Sequence, residues 1–155
     1  MEYASLIAEF GARYGIGELK PDENGVVAIS ADGRPVTFMQ QGEGDLVIAL
    51  VELCEAPETG ADQVNRLVMQ ANQPMFMEDG FVIVHHEGSG RYCLMARFDT
   101  ADMDFLDFDR TVGRLLKRAE HWNTFLEKFI PIAEEAATAG DSPEEPVALG
   151  DMMRV

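Results

Sequence analysis

An α+β fold, with three helices laid against a five-stranded, mostly antiparallel twisted sheet, is predicted by three observations in this 155-residue chain. Apolar residues recur at helical spacing in three separate stretches. Five short apolar runs lie between those stretches, with glycine, aspartate and proline at their boundaries. The order is helix, three strands, helix, two strands, helix, and helices packed against one sheet face is the natural way to bury both patterns.

Residues 2–14 read as an amphipathic helix, because Tyr3, Leu6, Ile7, Phe10 and Tyr14 share one stripe. Gly15 and Gly17 bracket Ile16 and stop it. The stripe either faces the core or stays partly exposed for a partner. Gly25–Ser30 then reads as a strand, Ala31-Asp32-Gly33-Arg34 as a turn, and Pro35–Met39 as a second strand. Pro35 opens its run, where a missing N–H is tolerated. After a turn over 41–45, Leu46–Leu53 is apolar almost throughout, which suggests a central strand covered on both faces. A helix on one side and another subunit on the other would supply that cover.

Asp62 is expected to cap a short helix to about Asn72, with Val64, Leu67, Val68 and Ala71 on its stripe and Pro74 ending it. Met75, Phe76 and Met77 then form a soft apolar cluster in a connection, either core or a pliable contact surface. Phe81–His86, a turn over 87–90 and Arg91–Phe98 read as a second hairpin. Asp102 or Asp104 is expected to cap the last helix, Asp104 to Ile130, which at 1.5 Å per residue is roughly 40 Å long. Its stripe runs from Phe105 and Phe108 through Leu115, Ala119 and Trp122 to Leu126 and Phe129. Pro131 ends or kinks it, and 132–139 extend it weakly. From Gly140 the composition turns to Gly, Pro, Asp, Glu and Ser, so the expected division is a domain over 1–139 and a flexible acidic tail over 140–155. Met152 and Met153 in that tail have no assigned role.

The formal charge is −16, from 28 acids against 12 bases. That field disfavours nucleic acid and anionic lipid as partners and keeps the chain soluble if it exposes apolar surface. No apolar run reaches the ~20 residues needed to cross a bilayer. The opening MEYASLIAEF has neither a basic start nor a continuous apolar stretch and does not read as a signal peptide. Cys54 and Cys93 lie in apolar runs and read as buried free thiols in a reducing compartment rather than a disulfide.

The chain carries no glycine-rich phosphate loop, no cysteine pair at zinc spacing and no nucleophile elbow. His85 and His86 are adjacent on a strand and point to opposite faces, so they cannot share a metal without distortion. His121 lies on the last helix, and all three histidines read as solvated or packed rather than ligating. Carboxylates are too numerous for any acid–base pair to stand out. No catalytic residue, cofactor or metal is therefore expected. What remains is a surplus of large apolar side chains near the amino end, the signature of a protein-binding module.

In that order of elements the chain resembles the class I effector chaperones of bacterial type III secretion, the Tir-chaperone (CesT-like) family. The resemblance covers roughly residues 2–130. It rests on Leu6-Ile7-x-x-Phe10 followed by Gly15-Ile16, on Asp22-Glu23-Asn24-Gly25-Val26, on Pro35-Val36-x-Phe38, and above all on Leu115-Leu116-x-x-Ala119-Glu120-x-Trp122. Small size and the acidic pI of about 4.3 also fit. The resemblance implies a cytoplasmic, non-enzymatic homodimer that binds the N-terminal region of a secreted effector, keeps it soluble and extended, and helps deliver it to the secretion ATPase. It further implies an effector groove at Leu6, Phe10, Val27, Ile29, Val36 and Phe38, and a dimer interface at Val64, Leu67, Val68, Ala71 and Phe81. Two competitors remain: a YbjN-like sensory or regulatory protein-binding domain, and a small metal-binding enzyme.

Overall fold

The computed structural model describes residues 2–140. Eight elements follow one another: α1 (Tyr3–Tyr14), β1 (Val26–Ala31), β2 (Arg34–Gln40), β3 (Leu46–Glu55), α2 (Ala61–Asp79), β4 (Phe81–His86), β5 (Arg91–Asp99) and α3 (Phe105–Ala139). The strands form one sheet in the order β1-β2-β3-β5-β4, every neighbouring pair antiparallel. The class is α+β, as the alternation of patterns predicts. Of the tail expected over 140–155, Gly140 forms the C-cap of α3, and 141–155, with Met152 and Met153, lie outside the described residues.

Local chemistry sets most of the boundaries. Gly15 ends α1 in the left-handed conformation (φ 65°), and the N–H groups of Gly15 and Ile16 close onto Ala12 and Gly11 carbonyls. Asp32 and Gly33 both take positive φ, 52° and 78°, which a two-residue turn between twisted strands requires. Asp104 caps α3 by accepting the Asp107 N–H at 2.9 Å.

Two helices run past prolines: Pro74, expected to end α2, and Pro131, expected to end or kink α3 with a weak extension over 132–139. The stripe of α2 continues from Val64, Leu67, Val68 and Ala71 to Met75, which is buried, so the helix carries on through Pro74 to Asp79. Likewise α3 continues through Pro131 because Ala133 is buried. In each case a proline costing about 3 kcal/mol is outweighed by packing that a local rule does not see. Met75, Phe76 and Met77 consequently lie on a helix, not in a connection, and only Met75 belongs to the core. Nor does Asp62 cap α2. The N-cap is Gly60 at φ 74°, where a Cβ would come within 2.5 Å of the Ala133 carbonyl oxygen. That contact joins the start of α2 to the end of α3. At the opposite end Arg118 of α3 pairs with Asp79 and Glu78 of α2, so the two helices lie antiparallel.

The core lies between the helices and one face of the sheet. Val27, Phe38, Ala49, Ala96 and Phe81 make one row across it, and Ile29, Val36, Val51, Leu94 and Ile83 the next. Onto these rows the helices place Leu6, Ile7 and Phe10, then Val64, Leu67, Val68 and Ala71, then Phe108, Val112, Leu115, Trp122 and Leu126. The Phe108 ring meets Phe10, Phe38 and Phe98 with centroids 5.8–5.9 Å apart. Rings at such separations add attraction beyond their buried area.

Candidate polypeptide-binding surface

Side chains alternate along a strand, so every inward residue has an outward neighbour. The outward set makes two further rows: Val26, Met39, Ile48 and Arg97, then Ala28, Thr37, Leu50, Met95 and Val82. Glu52, Cys93 and Val84 continue it. Val26, Met39, Ile48, Leu50, Met95, Val82 and Val84 are half-buried, and none joins the core cluster into which all three helices pack. Among the described residues this face therefore has no helix on it. It is an apolar sheet surface on a chain of charge −16.

The face is bordered by the β1 edge. The Gln40 N–H donates to the Gly25 carbonyl (3.0 Å), so by the antiparallel alternation Val26, Ala28 and Ser30 turn their main-chain groups outward. Asp22 occupies both groups of Val26: its N–H donates to the Val26 carbonyl at 3.0 Å and its carboxylate accepts the Val26 N–H at 2.8 Å. Ala28 and Ser30 are exposed, and their outward N–H and C=O groups have no partner among the described residues. An open edge of this kind is a template for one more strand.

The residues expected to line a groove sit elsewhere. Leu6, Phe10, Val27, Val36 and Phe38 are all at most 5% exposed, and Ile29 is half-buried against them. They form the core because α1 lies on their face of the first hairpin. The residues expected at a dimer contact, Val64, Leu67, Val68, Ala71 and Phe81, are also buried within the single chain. On α2 the exposed large side chains are instead Met69, Phe76 and Met77, at 74%, 59% and 80%. Alternation carried the missing signal for the sheet, since Val26 and Met39 neighbour Val27 and Phe38. Which of the two sets faces outward depends on where α1 lands, and a strand read alone does not say.

Burial, reinforced by the Glu52 charge, pushes the Cys93 thiol up to about 11. Cys54 and Cys93 are both free. His85 lies against the Tyr92 ring, His86 meets the Ser89 hydroxyl at 3.1 Å, and His121 lies edge-on to Trp122. Among the described residues no group of three or more His, Cys, Asp or Glu side chains is placed to hold a metal ion. A cleft of about 500 Å³ between Asp99, Asp102, Asp107, Arg110 and Arg114 is lined by charges of both signs. No described helix is long and apolar enough to cross a membrane.

An α+β domain that puts all its helices on one sheet face and leaves the other apolar is built to bind protein. The model of the Tir chaperone protein (CesT) family matches residues 5–123, and the chain belongs to that family. Solved structures share the fold. A chain of the ExsC–ExsE complex is 24% identical with a TM-score of 0.72, the match covering 81% of this chain and 97% of that one. A chain of the HopA1–SchA chaperone–effector complex is 16% identical with a TM-score of 0.66, over 79% of this chain and 93% of that one. A chain of the complex of the Yersinia pestis type III secretion chaperone SycH with a stable fragment of YscM2 is 19% identical with a TM-score of 0.58, over 76% of this chain and 96% of that one. No curated protein sequence matches the chain. Family membership favours a secretion chaperone over a YbjN-like regulator or a metal-binding enzyme.

Proposed function

We propose that this protein is a cytoplasmic, non-enzymatic chaperone of type III secretion that holds the N-terminal region of a cognate effector extended and soluble until it is handed to the secretion ATPase. The observation that carries this reading is the open apolar sheet face bordered by the free main-chain groups of Ala28 and Ser30. An extended segment satisfies its own backbone on such an edge while alternate side chains settle on the apolar rows. No catalysis is needed, since holding the segment unfolded removes the wait for unfolding before export. The acidic field favours effector segments that carry basic residues. Solved complexes of the same fold, such as HopA1–SchA, pair a chaperone with an effector.

The same reading includes a homodimer. Met69, Phe76 and Met77 on the outer side of α2 supply its contact, above the buried Val64, Leu67, Val68, Ala71 and Phe81. Methionine-rich surfaces adapt readily to a partner.

The test is co-expression with effectors encoded beside the chain, followed by co-purification and mapping of the bound region. The expected result is a complex through the effector's N-terminal region that is lost in Leu50→Asp and Met95→Asp while folding and dimerisation persist. Capture that is unchanged in both folded variants would remove the open face from the site.

A further inference from the structure

The sheet has two outer edges, and they are finished differently. On β4 the outward main-chain groups belong to Phe81, Ile83 and His85, because Val82, Val84 and His86 alternate with them toward β5. Both groups of the central residue are occupied by one side chain. The Asn72 carboxamide oxygen accepts the Ile83 N–H at 2.7 Å, and its nitrogen donates to the Ile83 carbonyl at 2.9 Å. A carboxamide offers the same donor and acceptor as a peptide group, so Asn72 stands in for one residue of a neighbouring strand. Asn65, seven residues earlier and so on the same side of α2, accepts the Tyr92 hydroxyl at 2.7 Å. Tyr92 pairs with His85, so the helix is anchored along the length of β4.

The other edge is clipped only at its end. Asp22 takes both groups of Val26 and leaves Ala28 and Ser30 consecutive and free. A foreign strand needs at least two successive outward residues to form a ladder. β1 offers them, whereas on β4 the residue between Phe81 and His85 is already paired.

We propose that Asn72 closes the β4 edge against strand addition, so that an extended segment joins this sheet only beside Ala28 and Ser30. Closure of β4 stands on the geometry alone. Assignment of the incoming segment to β1 rests on the chaperone reading. Without Asn72 the occupant of the β4 edge is the same edge of a second copy, since an antiparallel pair of identical strands is self-complementary.

Amide hydrogen exchange on the full-length chain is the first test. With no effector bound, the Ile83 amide exchanges at least ~100-fold more slowly than those of Ala28 and Ser30. Equal rates overturn the closure. The second test is the mass in solution of Asn72→Leu and Asn72→Asp over a ~100-fold range of concentration. The leucine removes both hydrogen bonds. The aspartate keeps the acceptor and sets a negative charge against the Ile83 carbonyl. Growth beyond the wild-type assembly in either folded variant, with new protection at Phe81 and His85, supports the proposal. Wild-type mass at every concentration in both folded variants overturns it, and if neither folds the exchange rates decide. Bound effector that protects Phe81 and His85 rather than Ala28 and Ser30 overturns both the closure and the assignment to β1, and leaves the chaperone reading intact. Absence of any bound effector, with the exchange pattern as expected, sinks the chaperone reading and leaves the closure intact.

Discussion

The two faces of this sheet are made of similar residues and live in different surroundings. Val27, Phe38, Ala49 and Ala96 are sealed under helices, whereas Val26, Met39, Ile48 and Leu50, one position away on the same strands, are half-buried on a surface without a helix. Hydrophobicity alone does not distinguish the sets. The difference is imposed from outside the strands, by α1 and α3 converging on Phe38 through Phe10 and Phe108. On one face an apolar side chain stabilises the fold; on the other it is available to another polypeptide.

The sharpest way to break this contrast is to truncate the covered face. Phe38→Ala and, on the helix facing it, Trp122→Ala should each cost about 3–5 kcal/mol in urea denaturation. A loss below about 1 kcal/mol in either would mean that the helix layer is not the core. Gly60→Ala comes next, at about 1–3 kcal/mol, because the added Cβ meets the Ala133 carbonyl and the position has positive φ. Calorimetry should show that loss, and an unchanged melting temperature would place α2 and α3 further apart at that end.

The contrasting change is Leu50→Asp on the open face. Its stability cost should be about 1 kcal/mol, while effector capture falls at least ~10-fold. If Leu50→Asp unfolds the chain as Phe38→Ala does, the two faces are not distinct. Asp104→Ala, outside both faces, should remove about 1 kcal/mol through loss of the α3 cap and leave capture unchanged. A last effect is in alkali. Burial pushes the Cys93 thiol from its ordinary value of 9.0 up to about 11 in the fold. Below pH 9 the thiol is neutral in both states and contributes nothing to pH dependence. Between about 9 and 11 the unfolded thiol ionises while the folded one does not, so stability falls through that window. Cys93→Ser should flatten part of the fall in urea midpoint. Tyr3, Cys54 and Tyr92, also raised by burial, keep the remainder.

Much of the fold was legible because its signals are local. Phe81–His86 is bounded as the sequence suggests, and the other strands differ by one or two residues at one end or both. The Asp32-Gly33 turn and the Asp104 cap announce themselves by residue type. The run of α2 past Pro74 did not, and that of α3 past Pro131 showed only as a weak extension, because proline's cost is written in the sequence while the burial of Met75 and Ala133 depends on distant partners. At the candidate surface, the first hairpin was legible as strands. The outward choice of Val26 and Met39 over Val27 and Phe38 was not, since it follows from helix placement. Asn72 was equally hidden, because a polar residue on a helix says nothing of a strand edge eleven residues later.

The unpaired rim of β1 beside a greasy plane is also the geometry from which fibrils grow. Mutual repulsion between strongly anionic copies, with the Asp22 clip on Val26, stands against stacking when no cargo is present. Counterions shorten the reach of that repulsion from about 10 Å at 0.1 M to about 3 Å at 1 M. Storage of the empty protein in concentrated brine should thus cloud the solution, and a loaded molecule should stay clear.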